Sequence, residues 1–125
     1  MILRVINQEW EPHRNESPTL NDVALAVQAL DGKTQTLVTL EVDDDRHMAV
    51  GGGGGGYIVY MTVDNRRFKN LVIAEKRGPK VSLTCGGQQG EFAAKQCVDL
   101  RTAQAAAKAF AQNGQPDPTL SWEDG

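Results

Sequence analysis

Six consecutive glycines, Gly51–Gly56, run without a break into the strong strand formers Tyr57–Val63, in the stretch MAVGGGGGGYIVYMTVD. Glycine reaches backbone conformations closed to other residues, so such a run reads as a nucleotide-cradling loop, a linker or a connection between strands. Taken literally it satisfies G-x-G-x-x-G at Gly51, Gly53 and Gly56. A dinucleotide site also needs a helix N-terminus after the glycines, because the helix amides and dipole hold the pyrophosphate. Here a strand follows, and no Lys-Ser or Lys-Thr completes a P-loop. A linker between domains fits poorly too, since the roughly 50 residues ahead of it are few for an independent core. A mobile connection between two antiparallel strands remains, either idle or ordered when a partner arrives.

The flanking sequence supplies the rest of a sheet. ILRVIN reads as a first strand with Ile2, Leu3, Val5 and Ile6 apolar, and QEWEPHRNESP (8–18), broken by Pro12 and Pro18, reads as a loop. Thr19 is placed as a helix N-cap with Asp22 three residues on. Leu20, Val23, Ala24, Val27 and Leu30 then share one helical face before Asp31-Gly32. From Thr34 the period becomes two, with Val38, Leu40 and Val42 on one side, followed by an Asp43–Asp45 turn and the short strand RHMAV. Tyr57–Val63 is apolar on both faces, which predicts a central strand covered on each side. FKNLVIAE, with Leu71 and Ile73 inward, and KVSLTC continue the strands; GGQQGE reads as a loop, and a weak strand ends near Val98. Asp99 caps a second, alanine-rich helix with Leu100, Ala103, Ala107 and Phe110 on one face; Asn113-Gly114 stops it, and QPDPTLSW leaves as an extended tail. The expectation is an α+β chain, one domain over 1–125, with a mostly antiparallel meander and helices over about 19–30 and 100–112.

Thirteen Lys and Arg against sixteen Asp and Glu give a formal charge of −3, which offers nucleic acid and anionic lipid no long-range attraction and suits a basic partner. No stretch approaches the roughly 20 apolar residues that span a bilayer, and MILRVINQEW lacks a signal-peptide apolar region. A cytoplasmic protein is expected. Cys85 and Cys97 match no common zinc pattern and read as reduced, partly buried residues; His13 and His47 have no second ligand at metal spacing and read as surface histidines. Ser17, Ser82 and Ser121 sit in no nucleophile-elbow context. The residues therefore predict no catalytic, cofactor or metal site. Glu41 and Asp43–Asp45, followed by Arg46, lack the central glycine and distant glutamate of an EF-hand. They read either as a charged hairpin turn or as an acidic patch that covers the nucleic-acid-binding surface of a basic partner.

The C-terminal stretch CVDLRTAQAAAKAFAQNGQPDPTLSW resembles the end of a family of bacterial immunity proteins from polymorphic toxin systems. Those proteins finish with a short strand, an Asp- or Ser-capped A-x-x-x-F helix, a Gly-x-x-Pro turn and a Leu-x-Trp tail. The corresponding positions are Ala106, Phe110, Gly114, the Pro116/Pro118 pair, Leu120 and Trp122, and MAVGGGGGGYIVYMTVD is similar to the family's central pair of strands. The likeness runs from about Leu20 to Trp122. It implies an α+β protein with no enzymatic activity that binds and neutralises a cognate toxin domain, often a nucleic-acid deaminase. Phe110 is expected to face the sheet and Trp122 to cap the core. The clustering of charge assigns the toxin-facing surface to Glu41, Asp43, Asp44, Asp45, Arg46 and the adjoining Gly53, Gly54 and Tyr57. The rival readings are a general protein-interaction domain with no toxin link, and a small hydrolase or ligand-binding enzyme using His13 or His47 with a nearby carboxylate.

Overall fold

The computed structural model describes residues 1–7 and 13–125. The first part of the loop expected over 8–18 lies outside the described residues, as does the setting of the His13 side chain. Seven strands make one antiparallel sheet: β1 (Ile2–Asn7), β2 (His13–Asn15), β3 (Gln35–Glu41), β4 (His47–Gly53), β5 (Gly56–Thr62), β6 (Phe68–Val72) and a C-terminal strand Ser121–Asp124. Their spatial order is β2-β1-β3-β4-β5-β6, with the C-terminal strand beside β6. Helices α1 (Leu20–Gln28) and α2 (Leu100–Asn113) pack together on one face of this sheet. A separate two-stranded hairpin, β7 (Val81–Cys85) and β8 (Gln88–Phe92), lies on the other face, and the C-terminal strand is β9. The architecture is α+β and mostly antiparallel, as the element order predicts.

Local chemistry explains both helices. Thr19 Oγ1 accepts from the Asp22 amide at 3.0 Å and the Asp22 carboxylate accepts from the Thr19 amide at 2.9 Å, a reciprocal pair that satisfies two otherwise orphaned donors. Asp99 accepts from Thr102 N at 2.8 Å at the start of α2, and Gly114 ends it in the left-handed conformation, φ 64°. α1 stops at Gln28, short of the expected residue 30. Leu30 is buried all the same, through a turn in which its amide donates to Val27 O at 3.2 Å. Ala103, Ala106 and Ala107 have no exposed surface. Their small side chains let α2 lie against both the sheet and α1, with Phe110 filling the space beyond them. The core is built from Val23 and Val27 of α1, these α2 residues, and Val38, Leu40, Met48, Val50, Val59, Met61 and Leu71 of the sheet.

β5 is central and covered on both sides, as its two apolar faces predict. Tyr57, Val59 and Met61 face the helices, while Ile58 lies under the second layer. Several expectations change. Val42 and Ile73 are 40 % and 41 % exposed, because β3 ends at Glu41 and β6 at Val72, so neither continues its strand's inward alternation. GGQQGE is not a loop: Gly86-Gly87 is a two-residue turn and Gln88 begins β8. The weak strand expected near Val98 is a 3-10 turn, Ala94–Gln96, followed by a single bridge between Val98 and Tyr57. The extended tail adds strand β9 to the sheet edge, where Trp122 pairs with Leu71, packs partly buried against the core and donates Nε1–H to Asp117 O at 3.0 Å.

The glycine run is a hairpin, but little of it is loop. Gly51–Gly53 belong to β4 and Gly56 to β5; only Gly54 and Gly55 form the turn, both at positive φ as a tight two-residue hairpin demands. The strand glycines are closely packed, while the turn glycines Gly54 and Gly55 are open. A Cβ on Gly53 would strike the backbone of Leu30, Asp31 and Gly32, and one on Gly51 would lie 2.7 Å from Cys85 Sγ of β7. Side chains are absent here because neighbouring chain lies against the strand from both directions.

Candidate functional site

The β3–β4 connection is an ordered acidic turn. Asp43 Oδ1 accepts from the amides of Asp45 (2.9 Å) and Arg46 (2.8 Å), and these donors hold its carboxyl below the usual carboxylate range. Asp43, Asp44 and Asp45 are all exposed. Glu41, at the end of β3, pairs with Arg4 at 3.4 Å across β1, with both side chains about one-third exposed. Arg46 reaches away from solvent: its Nη1 donates to Gly114 O at 3.1 Å, tying the turn to the C-terminus of α2. A cation at that position also complements the negative end of the helix dipole.

The remaining residues expected at the same surface lie elsewhere. β4 runs from His47 beside the acidic turn to Gly53 beside the glycine turn, seven residues or roughly 20 Å at strand rise. Gly54 is exposed at that far end, and Gly53 pairs with Asp31. Tyr57 is only 4 % exposed and belongs to the core beneath the helices. Glu41, Asp43–Asp45 and Arg46 are therefore one group, which the fold does not bring together with Gly53, Gly54 and Tyr57.

The acidic turn borders a surface that periodicity alone leaves unassigned. On the sheet face away from the helices, the strand registers line up two rows. One is Arg4, Thr39, Ala49, Tyr60 and Asn70; the other is Ile2, Glu41, His47, Thr62 and Phe68. His47 meets Phe68 edge-on at 5.9 Å between ring centroids, and Tyr60 meets Phe68 at 6.1 Å. All three rings are half-buried. A cavity of about 300 Å³ opens beside them under the second layer, bounded by Tyr60, Asn70, Leu37, Cys85, Phe92 and Gln96. Burial pushes the Tyr60 phenol above its ordinary value and the Cys85 thiol up to about 11, so both are neutral at neutral pH. Only strand pairing reveals the cluster: His47, Tyr60 and Phe68 are far apart in sequence and share a patch through the β4–β5–β6 registers.

Among the described residues, no three His, Cys, Asp or Glu side chains converge to hold a metal ion, and no helix is long and apolar enough to cross a membrane. No curated protein matches the chain. A family model described as immunity protein Imm1 matches residues 11–124. That span takes in both helices, the acidic turn and the aromatic patch, and the chain belongs to the Imm1 immunity protein family.

Proposed function

We propose that this immunity protein neutralises its cognate toxin by forming a tight complex that covers the toxin's active site, and that the toxin is a deaminase-type enzyme acting on nucleic acid. The match to the immunity family over 11–124 carries the reading, and the ordered acidic turn supports its chemistry. An enzyme that grips nucleic acid presents basic groups to phosphates, and carboxylates fixed on a rigid turn are suitable substitutes for those phosphates. The toxin-facing set we favour is centred on Asp43, Asp44 and Asp45, flanked by Glu41, paired with Arg4 on β1, and by Arg46, which ties the turn to the C-terminus of α2. Inhibition is by surface complementarity with no chemistry on this chain, and the complex forms in the cytoplasm of the producing cell.

Kinetics of complex formation with the protein encoded by the neighbouring reading frame test the role of the turn. Replacing Asp43, Asp44 and Asp45 with serine should slow association and flatten its dependence on salt. Association that keeps both its rate and its salt dependence removes the acidic turn from the mechanism.

A further inference from the structure

We propose that the toxin docks on the sheet face opposite the helices, with Tyr60, Phe68 and His47 at the centre of the contact and the β3–β4 and β5–β6 turns as its two charged corners. This assignment rests on the toxin-binding reading and gives it a surface.

The second layer covers only part of that face. β7 crosses the glycine ends of β4 and β5, where Gly51 meets Cys85 and Gly56 meets Leu83, and the 3-10 turn lies over β5 and β6. The rings at the acidic end are half-buried, with His47 and Tyr60 each meeting Phe68 and Tyr60 also bordering the cavity at the edge of the second layer. The two rows combine Tyr, Phe, His and Arg, with Ala49 as a small neighbour, and rigid aromatics and arginine are the residue types that dominate binding energy at interface centres. The strands fix these side chains in place before any encounter, which lowers the ordering cost of association.

Charge at the edges identifies the occupant. Asp43–Asp45 mark one corner, and the exposed Arg66 and Arg67 of the β5–β6 turn mark the other, on strands at the same end of the sheet. A complementary toxin surface therefore bears a basic group opposite the β3–β4 turn and a carboxylate opposite Arg66-Arg67. Between them it places a large apolar or aromatic side chain against the ring cluster. The neutral 300 Å³ cavity beside Tyr60 takes such a side chain without burying a charge.

The test uses the full chain and the catalytically inactivated protein from the neighbouring reading frame. His47→Ala, and separately Phe68→Ala, should weaken the complex about tenfold or more, while Leu25→Ala on exposed α1 surface leaves it unchanged. Because Phe68→Ala can loosen the sheet, hydroxyl-radical labelling of the wild-type chain gives a second readout. Labelling of Tyr60 and Phe68 should fall in the complex, and that of Leu25 should not. Unchanged affinity in a folded His47→Ala variant, or undiminished labelling of Tyr60 and Phe68 in a complex that does form, overturns the assignment. If the wild-type chain forms no complex, the toxin-binding reading fails and this assignment with it.

Discussion

Single residues show how much of the surface charge serves the fold. Asp31 accepts from Thr34 Oγ1 at 2.7 Å and from the amides of Lys33, Thr34 and Gln35 at 2.8, 2.8 and 3.0 Å. These donors, the Thr34 hydroxyl first, hold its carboxyl far below the usual carboxylate range. A carboxyl lowered in the folded state stabilises at neutral pH, and that contribution is lost as pH falls through the folded-state value. Asp31→Ala should thus lower the thermal midpoint at neutral pH, with the gap from wild type closing on strong acidification; a gap that widens in acid contradicts this. Arg46 is a second case. Removing its hydrogen bond to Gly114 O by Arg46→Ala should cost about 1.5–3 kcal/mol in denaturant unfolding, and lysine, lacking the planar fork, should not restore it. Phe110, with no exposed surface, should cost about 3–5 kcal/mol as Phe110→Ala.

The elements themselves were largely legible in the sequence, and the reasons are local. Thr19 with Asp22, Asp99, and Gly114 mark helix ends through bonds made within a few residues, so their positions follow from spacing alone. The exposed Asp43–Asp45 turn is equally local. What periodicity does not contain is which strand lies beside which. β9 joining β6, and β7–β8 leaving the main sheet, are consequences of packing between distant segments. For the same reason the hairpin is legible in the glycine run but its packing is not: Asp31 and Gly32 lie against Gly53 on one side and Cys85 against Gly51 on the other. Gly51→Ala should therefore destabilise by about 1–3 kcal/mol through overpacking. Combining it with Cys85→Gly should recover part of that loss, because both atoms it strikes belong to the Cys85 side chain. Strict additivity of the two changes would show that β7 does not press on the glycines.

At the scale of the whole molecule, the helices cover the centre of one sheet face and the second layer covers part of the other. The Imm1 match gives that architecture a purpose, which is recognition of a cognate toxin protein. Titrating the toxin's catalytic activity with the purified chain examines this most directly. Activity should fall linearly and vanish near one equivalent, with no turnover of the toxin's substrate by the chain itself. A toxin that keeps full activity in the presence of several equivalents contradicts the account.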